Sequence, residues 1–295
     1  MARQRGDEKP QAGEGKKARP RMTSGKVLLE LVKHKKFDEL KQLLLATETL
    51  DVKSDTVLEA FFRSMQPEDL EILDRYFALG IEPNMRWRQH TALGVAARLG
   101  SPTLVRGLIE RGCDAKQPGC DENSALIEVY LGAKHLRFPQ IRARYEEVVA
   151  LLLAHGCDAN AQNMFHMTAL DYACESKPPA WLSLLTLLFE GGARLECAIE
   201  KGCSCVNYAA ILPSAALLEF LLDHDGNVNG QDCFGKTPLM AAVTHGWEEN
   251  VKLLLARGAD VEVKANDGRS AFDDARTHMR IQFLPLLDAA RGTSK

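Results

Sequence analysis

Thr237-Pro-Leu-Met-Ala-Ala-Val-Thr-His-Gly-Trp-Glu-Glu-Asn-Val-Lys-Leu-Leu-Leu-Ala-Arg-Gly-Ala-Asp260 is the stretch that decides the fold. Thr237 precedes an apolar run and is placed as a helix N-cap. Gly246 is placed to end a first helix. Val251 and Leu253-Leu254-Leu255 mark a second, and Gly258 is placed to end it. Ser/Thr residues in similar settings recur at Thr56, Thr91, Ser124, Thr168, Ser204, Thr237 and Ser270, with steps of 35, 33, 44, 36, 33 and 33. A unit of this length cannot bury its own apolar face, so several must stack around a shared core.

The unit that starts at Thr91 shows the same punctuation. Leu93, Ala96 and Ala97 are apolar at helical spacing, Gly100 closes the first helix, Leu104, Val105, Leu108 and Ile109 line the second, and Gly112 closes that one. This pattern is similar to the ankyrin repeat family. The likeness rests on Thr91-Ala92-Leu93, Gly112-Cys113-Asp114, Leu152-Leu153 with Gly156-Cys157-Asp158-Ala159-Asn160, Thr168-Ala169-Leu170, Gly192-Ala193 and the full unit 237–269. The position three after each anchor, usually His in the family, is Gly94, Ile127, Asp171, Asn207, Met240 and Asp273. The resemblance implies an all-α solenoid of helix-turn-helix units joined by short hairpin-like turns.

Three segments are expected: a disordered basic tail over 1–26, a repeat domain of about eight units over 27–290 with an N-terminal cap at 27–45, and a short tail over 291–295. The first 26 residues carry a net charge of +5 and the remainder −8. With Pro10, Pro20, four glycines and almost no large apolar residue, the tail has too little to bury for folding. Lys16, Lys17 and Arg19 resemble a nuclear-import signal. No run approaches the ~20 apolar residues of a membrane span. Cys113 and Cys157 replace the Ala of Gly-Ala-Asp and read as small buried apolar groups, whereas Cys197, Cys203 and Cys205 match no usual zinc spacing. Free thiols without an export signal lead to an expected cytoplasmic or nuclear location.

No catalytic motif stands out, and neither a cofactor nor a metal is expected. Asp273-Asp274 and Glu248-Glu249 read as solvated helix faces, and His155 and His224 as helix-end groups facing the dipole.

Binding is the expected activity, with one or more proteins as partners and the chain itself monomeric. The resemblance implies that residues just before each anchor form projecting tips, and that residues seven and eight after it line the adjoining concave face. The tips give Arg86, Trp87, Arg88, Met164, Phe165 and Phe234 as candidates. The helix face gives Arg98, Leu99, Leu131, Ile211 and Leu212. Large apolar groups rimmed by charge mark partner sites. The 44-residue step places 11 extra residues around Gly132 to Arg144, read as a basic surface loop with Lys134, Arg137, Phe138 and Arg142 as possible contacts. Alternatives are a nuclear regulator brought in by the tail, nucleic-acid binding through tail and insert, or recruitment to ubiquitin ligation. The −8 charge of the repeat domain opposes broad DNA affinity.

Overall fold

The computed structural model describes residues 22–66, 70–133, 139–175, 182–195 and 205–291. Helices come in consecutive pairs: α1 (Gly25–Lys33) with α2 (Phe37–Ala46), α3 (Asp55–Arg63) with α4 (Glu71–Ala78), α5 (Ala92–Arg98) with α6 (Pro102–Glu110), and α7 (Ala125–Ala133) with α8 (Pro139–Ala154). They continue with α9 (Ala169–Glu175) and α10 (Leu182–Glu190), α11 (Cys205–Ala210) and α12 (Ala216–Asp223), α13 (Pro238–His245) and α14 (Glu248–Ala256), and α15 (Ala271–Thr277) and α16 (Leu284–Arg291). From α5 onward each first helix packs on the first helix of the next pair, so α5, α7, α9, α11, α13 and α15 form one continuous layer. Second helices such as α6, α8 and α10 form the layer behind it.

The core is the seam between the two layers. Small residues on the first helices, such as Ala96, Ala97, Ala209, Ala210 and Ala242, are fully buried or nearly so, and let neighbouring helices approach. Larger groups from the second helices, such as Leu104, Leu108, Leu152, Leu188, Leu218 and Leu254, fill the space behind them. The closest approach is at Gly132, where any Cβ would overlap the Arg98 carbonyl. That carbonyl, at the end of α5, accepts a hydrogen bond from the Tyr145 hydroxyl at 2.8 Å.

The anchors work as N-caps in most units. Thr91 Oγ1 accepts from Gly94 N, Ser124 Oγ from Ile127 N, and Thr237 Oγ1 from Met240 N. Where the third following residue is acidic the cap becomes reciprocal. Asp171 accepts from Thr168 N, and Asp273 accepts from Ser270 N, forming a capping box. The N-terminal end differs in detail from the expected register. The cap position of α3 is Ser54, and Thr56 lies inside the first turn. β1 (Met22–Thr23) pairs in parallel with β2 (Thr49–Leu50), and α1 starts at Gly25, ahead of the expected boundary at 27.

Asparagines bind successive units together. Asn84 takes Asp114 N and donates to Gly112 O, Asn160 takes Arg194 N and donates to Gly192 O, and Asn229 takes Asp260 N. Each side-chain amide thereby satisfies turn groups of the following unit.

The long step is not a simple loop. From Pro139 onward it is helix, and α8 has 16 residues where α6, α10 and α14 have nine. Seven added residues are about two turns. Pro139 fits at the start because a first-turn residue has no intrahelical N–H bond to lose.

Candidate functional site

Between the pairs, the chain projects as hairpin tips of two designs. Asn163–Met167, Asp232–Lys236 and Ala265–Arg269 are five-residue loops. In each, the first residue donates its N–H to the carbonyl of the fifth, and the fourth donates back to the first. The fourth residue has positive φ in all three, as His166, Gly235 and Gly268. The Asp232 carboxylate accepts from Phe234 N and Lys236 N, and the Asn163 side-chain oxygen accepts from Phe165 N and Met167 N. Neighbouring tips are also joined, by Met164 N to Asp121 O and Asn266 N to Phe234 O. These backbones are fixed, and their apolar side chains stand in water: Met164 is 55% exposed, Phe165 61% and Phe234 58%.

The tip at 86–91 is different. β3 (Arg86–Trp87) pairs with β4 (His90–Thr91) as an antiparallel hairpin, with Trp87 opposite His90. Only Arg88 and Gln89 form the turn, both at positive φ, which a two-residue type I′ turn requires. Trp87 is therefore a strand residue and not a loop apex. Its indole is half-buried, lies tilted against Phe62 with centroids 5.8 Å apart, and donates Nε1–H to Asp55 at 2.7 Å. The Arg88 guanidinium lies over the ring, 4.8 Å from its centroid, and 3.7 Å from Asp55. The expectation of Trp87 as a free apolar group is corrected: its ring has partners within the domain. Arg86 is exposed.

The helix face also departs from expectation. Leu99 is 42% exposed, but Leu131, Ile211 and Leu212 are half-buried. Leu131 and Leu212 pack onto the core. α11 ends at Ala210, so Ile211 and Leu212 fall in the following turn, where their carbonyls accept from Trp247 Nε1 and the Asn250 amide. The four leucine and isoleucine side chains thus do not form one exposed stripe beside the tips. Arg98 is engaged too, donating to Glu128 at 2.6 Å.

Arg142 lies in α8, 3.4 Å from Glu146. Lys134, Arg137 and Phe138 lie outside the described residues, as do Lys16, Lys17 and Arg19 of the tail.

Two buried acids were not legible as such. Glu128 is 3% exposed; its carboxylate accepts from Arg98 and from the Asn123 amide. Asn123 accepts in turn from Asn163, whose amide also donates to the Tyr172 hydroxyl. Asp274 is 1% exposed and pairs with Lys236 at 3.4 Å, which corrects its reading as a solvated residue. Its neighbour Asp273 is a cap; the Ser270 backbone and hydroxyl groups hold its carboxyl below the usual carboxylate range. Glu248 and Glu249 are exposed and flank Lys252. The only clue in sequence was the phase of α15, which turns Asp274 inward beside Ala271 and Ala275.

Burial pushes the Cys113 thiol up to about 12 and that of Cys157 to about 11, so neither is a ready nucleophile. His155 and His224 each place Nδ1 2.8 Å from the carbonyl four residues back, a helix-end contact. Among the described residues no group of three His, Cys, Asp or Glu is arranged to hold a metal, and no helix is long and apolar enough to cross a membrane.

Residues 180–265 match the family described as ankyrin repeats (3 copies). The chain is 29% identical over 131 residues to the B-cell lymphoma 3 protein homolog of Mus musculus, covering 44% of this chain and 29% of that one. It is 40% identical over 73 residues to ankyrin repeat and SAM domain-containing protein 6 of Rattus norvegicus, covering 24% and 8%. It is 33% identical over 75 residues to the ADP-ribosylation factor GTPase-activating protein AGD4 of Arabidopsis thaliana, covering 25% and 10%. The chain spans less than a third of the length of each of these relatives.

Proposed function

Because the chain belongs to the ankyrin-repeat family, we propose that it is a non-catalytic interaction module that holds a partner protein across its hairpin tips. One observation carries this reading. Met164, Phe165 and Phe234 are more than half exposed on loops whose backbones are already fixed by internal and tip-to-tip hydrogen bonds. A fixed apolar group loses little conformational freedom on binding, so most of its burial is available to affinity. Water-exposed aromatic and Met side chains rimmed by charge have the composition of an interface centre. Asp121 and Glu122 on one neighbouring tip and Asp267 on the other supply the rim; all three are exposed.

The similarity to a GTPase-activating protein concerns a quarter of this chain and gives no reason to add catalysis. The active surface in this reading is centred on the tips from 163 to 236 and not on Trp87, which is engaged inside the domain.

The test is affinity capture with the full chain, comparing wild type with Phe165→Ala/Phe234→Ala. The expected result is loss of the captured proteins with an unchanged melting temperature. Retention of every partner by a folded double variant would overturn the tip assignment.

A further inference from the structure

The molecule contains two versions of one arrangement, and only one of them brings two cations to its buried carboxylate. In the C-terminal version, Lys236 precedes the anchor Thr237 and reaches forward to Asp274, the fourth residue after the next anchor. Arg269 brings a second cation to the same buried carboxylate, at 4.0 Å. In the N-terminal version the equivalent positions are His90, before the anchor Thr91, and Glu128, four residues after Ser124. Glu128 is buried and has one cation, Arg98. No ion pair joins His90 to Glu128 among the described residues.

The place that Lys236 fills in one version is a cavity in the other. It measures about 170 Å³ and is lined by His90, Thr91, Gly94, Val95, Arg98, Gly119 and Glu128. Two substitutions along the repeat create it. His90 is shorter than Lys236. Gly94 stands where the later unit has Met240, which is 1% exposed and fills its own position. A Cβ at 94 would already stand 3.5 Å from Glu128 Cγ, so the absence of a side chain there leaves Glu128 lining the cavity.

We propose that this cavity is a binding site for a lysine side chain of a partner protein, with Glu128 as the acceptor of its ammonium group. The aliphatic stem lies along Gly94 and Val95, an arrangement suited to a side chain that buries its methylenes and keeps its charge paired. The Lys236–Asp274 pair shows that this scaffold accommodates an ammonium beside such a carboxylate, even with an arginine adjacent. An acidic group would be repelled by Glu128, and a neutral one would gain no charge pairing from it. The site rests on the reading of the chain as an interaction module, but uses none of the residues that carry that reading.

The probe is a bead-displayed heptapeptide library made in three matched forms, with lysine, Nε-acetyl-lysine or glutamate fixed at the centre, incubated with labelled full-length chain. Lysine beads are expected to be retained over the other two, and Glu128→Gln is expected to reduce that retention at least about tenfold, the scale of losing one partner of a buried charge pair. Equal retention of lysine and acetyl-lysine beads overturns the proposal, as does a folded Glu128→Gln chain that binds like wild type. His90→Lys tests the same cavity without a ligand. It is expected to raise the melting temperature by forming the missing pair, to block lysine beads, and to lose the gain when combined with Glu128→Gln. A His90→Lys chain with unchanged melting temperature overturns the proposal. Phe165→Ala leaves lysine selection intact, so failure of the tips and failure of the cavity are read separately.

Discussion

The tips at 86–91 and 232–236 occupy equivalent places in their repeats and each carries one large aromatic residue, yet only one keeps it in water. Phe234 sits near the apex of a five-residue loop whose turn is made by Gly235, and it is 58% exposed. Trp87 sits one position further from its anchor than Phe234, in a strand closed by a two-residue turn. That turn leaves Trp87 paired across from His90, above α3, where Phe62 and Asp55 meet its ring and its N–H. Composition alone does not separate the two; turn length does. An aromatic residue at a tip is a surface feature only when the element below offers it nothing.

Mutations rank the two tips against a core reference. Leu254 is fully buried in α14, and Leu254→Ala is expected to cost about 2–5 kcal/mol by chemical denaturation, the range for a leucine cavity in a packed seam. Trp87→Ala is expected to cost about 2 kcal/mol, below the value for a fully buried Trp because the ring is only half covered. If Trp87→Ala were as silent as a surface change, the contrast between the tips would collapse. Asp55→Ala, which removes the acceptor of the indole N–H, is expected to cost about 1 kcal/mol. In a Trp87→Phe background the same change should cost less, a coupling that a double-mutant cycle reads directly.

Gln89→Gly works in the opposite direction. Gln89 has φ of 69° in a turn that favours glycine, so the variant is expected to gain about 0.5–1 kcal/mol in thermal melts. Phe234→Ala is expected to change stability by less than about 0.5 kcal/mol, the range of an exposed substitution, while reducing partner capture. A large stability loss there would make the two tips alike.

Much of the architecture was legible because each level of the sequence agreed with the others. The Ser/Thr anchors, the glycines at helix ends and the apolar spacing of 237–260 all point to paired helices, and the anchors from Thr91 to Ser270 cap helices wherever they are described, from Thr91, Ser124, Thr168 and Thr237 to Ser270. Thr56 misled because Ser54 lies two residues earlier with the same chemistry. The site was less legible because exposure depends on neighbours distant in sequence. Nothing around Trp87 announces a type I′ turn, since Arg88 and Gln89 are not the Asn-Gly or Gly-Gly that usually signal one. Ile211 and Leu212 fell on the expected face only if α11 were longer than its six residues. Asp274 and Glu128 had to be placed on helices of known phase before their burial was visible.

The asparagine amides that join one unit to the next have a mechanical consequence. Asn84, Asn160 and Asn229 each hold the turn of the following unit by short directional bonds, which resist sliding more than they resist separation from afar. The corresponding residue between Asn84 and Asn160 is Lys116, which has no side-chain amide to grip the turn at Gly156. A molecule stretched between its ends is therefore fastened unevenly. At the seam behind Lys116 the Tyr145 hydroxyl on the Arg98 carbonyl and the Arg98–Glu128 and Arg106–Glu147 pairs join the helices directly, so tension there passes through the helix layers rather than through the turns.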